Sequence, residues 1–183
     1  MSIALKLLKI AVARLLLSTA LITSIAGWSI AVQSSELESD KTKAKLIKHD
    51  NDRELQKLKE RIHLGINEYR ASLDLPPLNL NAEINHQAEI HSHNMAQQVV
   101  KFSHQGFKGR IKALEGQITY RRAAENVAFN QGFRDPAETA IAGWIKSENH
   151  HLNIIGNFDL TGIGAAKNKQ GEYYFTQIFI KEQ

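Results

Sequence analysis

The feature that most constrains this chain is an uncharged apolar run of 18 residues, Leu15–Val32, near the N-terminus. Three basic residues, Lys6, Lys9 and Arg14, precede the run, and residues 1–31 contain no acidic side chain. Basic residues followed by an apolar segment are typical of export signals. The positive-inside rule keeps such basic residues in the cytoplasm. We therefore expect everything after the run to fold outside the cytoplasm.

The length of the run leaves two alternatives for its processing. The apolar cores of cleaved signals span about 7 to 15 residues, whereas membrane-spanning helices need about 20. Small residues precede two cleavage positions, after Ala26 and after Ala31. Residues 1–31 are therefore either a signal peptide or an uncleaved signal anchor. The protein is expected to be secreted, periplasmic or anchored facing outside the cytoplasm, with membrane contact only through this segment.

Composition excludes nucleic acid as a partner and disulfides as a source of stability. The 183 residues carry a formal charge of +4, and subtracting the three basic residues of the apolar N-terminus leaves +1 on the remaining 152. A domain so close to neutral has no electrostatic reason to bind nucleic acid. Cysteine is absent, so the fold must depend on an apolar core, which a hydrophobic content of 43% can supply.

After the apolar run, the composition predicts a linker followed by one folded domain. Residues 32–50 are rich in Ser, Glu, Asp and Lys and poor in apolar side chains, which is typical of a solvated linker or stalk. The remaining residues have the length of one ordinary domain. We therefore divide the chain into an export segment at residues 1–31, a charged linker at residues 32–50 and a domain at residues 51–183.

Two helices are predicted in the first half of this domain. The first begins at Asn51 or Asp52 and ends before Pro76–Pro77, which cannot continue a helix. Its apolar stripe consists of Leu55, Leu58, Ile62, Ile66 and Tyr69. The second helix has Asn81 as its N-cap. Its predicted core face consists of Ile84, Ala88, Met95, Ala96 and Val99.

A third helix is predicted where three capping signals agree, with Asp135 as N-cap, Pro136 at the first helical position and Glu138 at the third. We expect Trp144 on its apolar stripe to be buried in the core, and we expect the same of Phe102. Strands are predicted at Ala124–Phe129 and in a terminal hairpin formed by Gly162–Ala166 and Tyr173–Ile180. Helices followed by a hairpin predict an α+β domain.

Three polar segments interrupt the apolar pattern, and we expect any chemistry to lie there. They are Phe102–His104, Ala124–Asn126 and Trp144–Asn153. Each places a histidine or a carboxylate beside apolar residues, where an unpaired ionisable group is costly. The three segments are therefore predicted to meet in space.

Several spaced motifs follow one another in order from about residue 60 to about residue 180. They are Asn67–Arg70 with Leu75–Leu78, Ala88–Met95, Phe102–His104, Arg110, Ala124–Ala128, Trp144–Ile155, and Gly162–Gly164 before Tyr174–Phe179. This series resembles the bacterial branch of the CAP superfamily, or SCP domain, which comprises the cysteine-rich secretory proteins, antigen 5 and plant pathogenesis-related proteins. The resemblance implies an α-β-α sandwich with a central antiparallel sheet, in agreement with the α+β prediction.

The resemblance also implies a cleft lined by two histidines and two glutamates, a tetrad that binds a divalent metal in some family members. By motif, the histidines are His104 and His150, and the first glutamate is Glu125. Ser147 stands at the position of the second glutamate. The remaining two imidazoles and one carboxylate could hold zinc with an open water position. Glu148 is not expected to replace the missing ligand, because one step along a helix turns a side chain by about 100°.

The other histidines nearby are not assigned to the cleft. His91 and His93 are interpreted as separate polar positions, because residues two apart on a helix do not face each other. His151 is interpreted as an exposed neighbour of the second cleft histidine.

Three classes of function stay open at this point. The first is a module that binds a lipid, a peptide or a cell-envelope component through the cleft. The second is a metal-dependent hydrolase of the peptidase type, in which Glu125 would orient or deprotonate a metal-bound water. The third is a cell-envelope structural protein, with His104 and His150 simply hydrogen-bonded in the cleft and no metal bound. We favour binding over catalysis, because one carboxylate of the tetrad is missing and no independent nucleophile is present.

Overall fold

The computed structural model describes the backbone of residues 3–183 and the side chains of residues 36–183. The chain divides into two compact units, residues 1–51 and residues 52–183. The predicted export segment, residues 1–31, lies outside the residues whose side chains are described. Within residues 36–183, whose side chains are described, no helix is both long enough and apolar enough to cross a membrane.

Helix α1, Ile3–Ala71, continues through the predicted linker. All described side chains from Glu36 to Asp50 are exposed, so this part of the chain is a solvated helix. The prediction that a helix begins at Asn51 or Asp52 is wrong, because α1 passes through both residues. The preceding residues include several Lys, Ala and Leu, which favour helix, so a capping residue type alone does not begin a new helix there.

The last part of α1 carries the predicted apolar stripe. Leu58, Ile62 and Ile66 are buried, and Leu55 and Tyr69 are partly buried against the same core. This part of the prediction is confirmed. After the helix ends, the chain turns back and is fastened to it by Asn67, whose side-chain oxygen accepts from the N–H of Leu78 at 2.8 Å. The Asn67 amide nitrogen donates to the carbonyl of Leu78 at 3.0 Å.

Four strands form one sheet. They are β1, Asn79–Leu80; β2, Tyr120–Asn130; β3, Leu160–Lys167; and β4, Tyr173–Glu182. Their order across the sheet is β1-β3-β4-β2. Strands β3 and β4 form the predicted antiparallel hairpin, β2 is antiparallel to β4, and the short β1 is parallel to β3. Strand β2 therefore lies at one edge of the sheet.

Four further helices follow α1, and both predicted N-caps are confirmed. They are α2, Ala82–Ala96; α3, Phe107–Lys112; α4, Pro136–Lys146; and α5, Glu148–Ile154. The Asn81 side chain accepts from two N–H groups of the first turn of α2, at 2.9 and 3.1 Å. The Asp135 side chain accepts from the N–H of Glu138 at 3.2 Å. The predicted burial of Val99 is wrong, because α2 ends before it and Val99 is 70% exposed.

Helices cover both faces of the sheet. On β4, Phe175 and Phe179 pack with the layer that contains α4, α5 and residues 52–71 of α1. Ile178 and Ile180 pack with α2 and the residues that follow it. Eight consecutive residues of β4 are buried, as expected of a strand that is covered on both sides. The predicted α-β-α sandwich is confirmed, with an antiparallel sheet apart from β1.

Helix α2 lies directly against β3 because β3 has glycine at two positions that face the helix. A Cβ atom at Gly162 would lie 2.2 Å from the backbone carbonyl carbon of Ile84. A Cβ atom at Gly164 would lie 2.2 Å from the backbone carbonyl carbon of Ala88. Carbon atoms in van der Waals contact are about 3.5 to 4.0 Å apart. The two glycines therefore set how closely α2 approaches the sheet.

Candidate functional site

Glu125 is the buried charge of the site. It lies on β2, and its side chain is 1% exposed. Arg110 of α3 meets it with two parallel hydrogen bonds, in which Nε donates to Oε2 and Nη2 donates to Oε1, both at 2.8 Å. The Arg110 side chain is 10% exposed. Forked pairs of this kind are among the strong charge-assisted hydrogen bonds of proteins, so the charge of Glu125 is balanced inside the domain.

His104 lies on the loop between α2 and α3 and is joined to the same carboxylate. Its Nδ1 atom lies 3.0 Å from Oε1 of Glu125. Because a carboxylate accepts hydrogen bonds, Nδ1 is the donor of this pair, and Nε2 is the acceptor of the corresponding neutral tautomer. The His104 side chain is half exposed. Arg110 also holds this loop, because its Nη1 atom donates to the carbonyl of Gln105 at 3.0 Å.

His91 supports the loop from the buried face of α2. It is 2% exposed, and its Nε2 atom donates to the carbonyl of Ser103 at 2.9 Å. Burial lowers the pKa of His91, and the nearby charge of Arg110 also lowers it. His91 is therefore a neutral donor that positions the loop, whereas His93 is exposed, so the two histidines are separate polar positions as predicted. The place of His91 three residues after the buried Ala88 was the signal for its burial.

His150 reaches the site from α5, in the opposite helical layer. Its ring centroid lies 6.2 Å from that of His104. Burial lowers the pKa of His150, and the nearby His104 also lowers it. Asn126, which is fully buried on β2, donates to the carbonyl of His150 at 3.0 Å and accepts from Asn153 at 2.9 Å. Adjacent residues of β2 thus contact opposite layers, because Glu125 is hydrogen-bonded to His104 on the loop and Asn126 to the His150 carbonyl on α5.

Ser147 lies at a break between two helices. It follows α4 and precedes α5, with φ −90° and ψ 119°. Our expectation that Ser147 and Glu148 lie on one continuous helix is wrong, because the extended backbone of Ser147 separates α4 from α5. His151 was expected to be exposed, but it is half-buried against α1, where its Nε2 atom lies 2.9 Å from the hydroxyl of Tyr69.

A groove of about 420 Å³ runs beside β2 and α4. Its lining combines the polar residues Ser147 and His150 with three phenylalanines, Phe102, Phe129 and Phe133. These phenylalanines are 51%, 44% and 56% exposed. The predicted burial of Phe102 in the core is therefore wrong. Its ring lies on the surface beside Phe129, with 6.2 Å between the ring centroids.

The backbone of the edge strand β2 also lines this groove, from Val127 to Asn130. Trp144 is buried as predicted, at 1% exposure, and its Nε1 atom donates to the carbonyl of Val127 at 2.9 Å. This contact shows that the backbone groups of Val127 point away from β4, and the alternation of an antiparallel strand directs those of Phe129 the same way. Because β2 is an edge strand, the N–H of Val127 and both backbone groups of Phe129 are directed to the open edge of the sheet.

Residues 65–179 match the family model described as CAP, the cysteine-rich secretory protein family. The match covers more than half of the chain. The chain belongs to the cysteine-rich secretory protein family. It does so without any cysteine, so this CAP domain is stabilised by its two apolar layers and not by disulfides.

Solved structures of bacterial CAP proteins are similar to this chain, as the resemblance predicted. An extracellular SCP-domain protein from Bacillus anthracis is 25% identical, with a TM-score of 0.59 over 69% of this chain and 41% of that one. A cysteine-rich secretory protein from Staphylococcus aureus is 26% identical, with a TM-score of 0.52 over 72% of this chain and 39% of that one. This chain thus spans about two fifths of the length of these two proteins.

An outer surface protein from Borrelia burgdorferi has the same fold. It is 17% identical, with a TM-score of 0.60 over 69% of this chain and 94% of that protein. Among curated proteins, the comparison found no match to this sequence.

The metal site that the CAP resemblance implies does not fit the arrangement of these residues. The structure brings His104 against Glu125 and places His150 close to His104. Both oxygens of Glu125 already accept from Arg110, and Oε1 also accepts from His104. Within the described residues, no group of three histidine or acidic side chains is arranged to hold a metal ion. Donors therefore occupy three of the about four acceptor positions of this carboxylate, and the remaining position on Oε2 lies beside the guanidinium group.

Arg110 is a site residue to which the sequence motifs assigned no role, because it appeared only as one member of the series. A carboxylate in an apolar strand needs a cationic partner, and this was a usable signal. This signal did not single out Arg110, because Lys108 and Lys112 are about as far from Glu125 along the sequence as Arg110 is. Only the packing of α3 against β2 selects the partner.

Proposed function

We propose that this CAP domain is an extracytoplasmic binding module that takes a short extended peptide segment in the groove beside β2. Its location is supported by the apolar N-terminal run and by two relatives that are described as extracellular or secretory. The observation that carries the proposal is the position of the edge strand β2 beside a groove lined with aromatic rings.

Peptides that add to a sheet edge gain affinity from main-chain hydrogen bonds and specificity from side-chain contacts. The N–H of Val127 and the N–H and carbonyl of Phe129 offer two donors and one acceptor in strand geometry. The exposed rings of Phe102 and Phe133 offer apolar surface for the peptide side chains. Exposed apolar clusters of this kind are typical of interaction sites.

A lipid chain is the main competing ligand. It could cover the same phenylalanine rings, but it would offer no hydrogen bond to the N–H of Val127 or to the backbone groups of Phe129. A buried polar group without a partner costs about 1–3 kcal/mol. An extended peptide satisfies these groups and is therefore favoured over a lipid.

The polar lining of the groove offers neutral hydrogen-bonding groups. The lowered pKa of His150 keeps its imidazole neutral at pH 7, and Ser147 contributes a hydroxyl. The charge of Glu125 is balanced by Arg110. We therefore expect the groove to select its peptide by shape and hydrogen bonds, with little dependence on salt.

The two alternative functions from the sequence use the site differently. A metal-dependent hydrolase needs the carboxylate of Glu125 as a metal ligand or base, and this carboxylate is held by Arg110. A purely structural envelope protein needs no ligand in the groove. Assays of peptide binding and of peptide hydrolysis on the same preparation distinguish the three functions.

The test uses the full-length protein purified from its native envelope. An array of immobilised random hexapeptides identifies a ligand, and calorimetry then measures its affinity for the parent and for two variants. We expect Phe133→Ala to weaken binding at least tenfold, because it removes an exposed ring from the groove. Leu152→Ala is the matched control, because Leu152 is similarly exposed, at 54% against 56%, and lies on α5 outside the groove.

A second measurement locates the peptide. We expect the ligand to slow the amide hydrogen exchange of Val127 and Phe129, measured by NMR, because their N–H groups become hydrogen-bonded. The proposal is wrong if palmitate binds in the groove and no peptide does. It is also wrong if Phe133→Ala and Leu152→Ala weaken peptide binding equally, and release of cleaved peptide would establish the hydrolase instead.

A further inference from the structure

We propose that the guanidinium group of Arg110 balances the charge of Glu125 in this cleft, as a divalent metal would, and thereby prevents a metal from binding. The inference goes beyond the proposed peptide binding and does not depend on it, because its probe is zinc alone. It rests on the hydrogen bonds of Glu125, on the tautomer of His104 and on the space that Gly106 leaves for the guanidinium group.

Donors occupy three of the about four acceptor positions of the Glu125 carboxylate. Oε2 accepts from Nε of Arg110, and Oε1 accepts from both Nη2 of Arg110 and Nδ1 of His104. A zinc ion bound to the carboxylate would sit about 2.0–2.2 Å from one oxygen. It would therefore lie beside the guanidinium group, and the repulsion between the two cations is strong in a buried site.

The histidines alone make a poor zinc site. His104 uses Nδ1 for Glu125, so only its Nε2 atom is left for a metal. His150 could supply a second imidazole, and the hydroxyl of Ser147 is a weak ligand for a divalent metal. Stable zinc sites in proteins use three or four nitrogen, sulfur or carboxylate ligands. The third strong ligand of this cleft is the carboxylate that Arg110 occupies.

Arg110 also links the loop that carries His104 to the sheet, as a bound metal would. It bonds Glu125 on β2 and the carbonyl of Gln105 on the loop. Gly106 leaves room for it, since a Cβ atom there would lie 3.3 Å from Nη1 of Arg110. The positive φ of 83° at Gly106 also favours glycine. The loop that carries His104 is thus built around the guanidinium group.

The experiment is a zinc titration by calorimetry on the full-length protein, freed of metal with a chelator, at pH 7.5. We expect no stoichiometric zinc binding by the parent. Arg110→Met keeps the apolar stem of the side chain and releases the carboxylate, so we expect one zinc with at least a 100-fold gain in affinity. The double variant Arg110→Met/Glu125→Gln should lose this gain, because its amide is a much weaker ligand.

Lys112→Met is the matched control. It removes one positive charge from the same helix, at an exposed position that takes no part in the Glu125 contacts, so we expect zinc binding as in the parent. A gain in Lys112→Met equal to that in Arg110→Met would overturn the proposal, because the effect would then be one of net charge. Circular dichroism checks that each variant is folded, and a folded Arg110→Met that binds no zinc also overturns it.

Glu125→Gln decides the question if Arg110→Met does not fold. It preserves the shape of the side chain and an acceptor for Arg110. We expect equal zinc affinity in the parent and in Glu125→Gln, because the carboxylate is not a ligand. Tight binding of one zinc by the parent that is lost in Glu125→Gln would show that the metal displaces Arg110, and the proposal would be wrong.

Discussion

Gly164→Ala tests whether the contact between α2 and β3 sets the geometry of the domain. The added Cβ would lie 2.2 Å from the backbone carbon and oxygen of Ala88 and 2.5 Å from the backbone nitrogen of Glu89. These are backbone atoms of a helix, so no side chain can turn aside. Relief requires a shift of about 1.3 Å or more between α2 and β3, since carbon contacts need about 3.5 Å. That shift disturbs the hydrogen bond between Ser92 and Thr176, now 2.9 Å.

Overpacking of this kind costs about 1–3 kcal/mol, and we expect Gly164→Ala to cost about 3 kcal/mol because backbone atoms must move. For a domain of this size the midpoint of thermal unfolding should fall by roughly 10 °C, measured by calorimetry. Gly109→Ala is the matched control. A Cβ there meets nothing within 4 Å, and alanine favours the α3 helix by up to about 1 kcal/mol. A midpoint for Gly164→Ala within 2 °C of the parent would refute the close packing of α2 on β3.

Two further predictions concern stability. Trp144→Ala removes a buried indole and its hydrogen bond to β2, so the free energy of unfolding should fall by about 3–5 kcal/mol, as measured by urea unfolding; an unchanged value would contradict the core position of α4. The free energy of unfolding should also fall as the pH drops below about 6.5, because His91 then binds a proton in the unfolded state. In the folded state its pKa is lowered by burial and by the neighbouring Arg110 and His104, against the opposing effects of the Ser103 carbonyl and Glu125. His91→Gln should lose less stability than the parent between pH 7.5 and 5.5, and equal losses would exclude His91 as the source.

Helices α2 and α4 and the hairpin of the CAP domain could be predicted because their signals are local, whereas α3 and the separate α5 were not predicted. Asn81 and Asp135 cap helices with their own side chains, within three residues along the chain. The period of three and four around Ile62 needs only the geometry of one helix. The same local signals failed at Asn51, where a capping residue type lies inside a continuing helix. The polar composition of residues 36–50 was interpreted as a linker, although their Lys and Leu residues also favour helix.

The candidate site could be predicted only in part. The motifs identified His104, Glu125 and His150, and the structure brings their side chains close to one another. The motifs did not show that the two histidines reach the site from opposite layers of the sandwich, His104 from the loop after α2 and His150 from α5. They also did not show that the groove beside them is lined by exposed phenylalanines.

The CAP family and the capped starts of α2 and α4 could be read from the sequence, whereas the export segment and the division of linker from domain stay predictions. The pairing of Arg110 with Glu125, the exposure of Phe102 and the edge position of β2 emerge only when the elements pack. The physical reason is the distance along the chain over which each property is set. Caps and periods arise within one or two turns, whereas an ion pair or a sheet edge depends on which distant elements pack together.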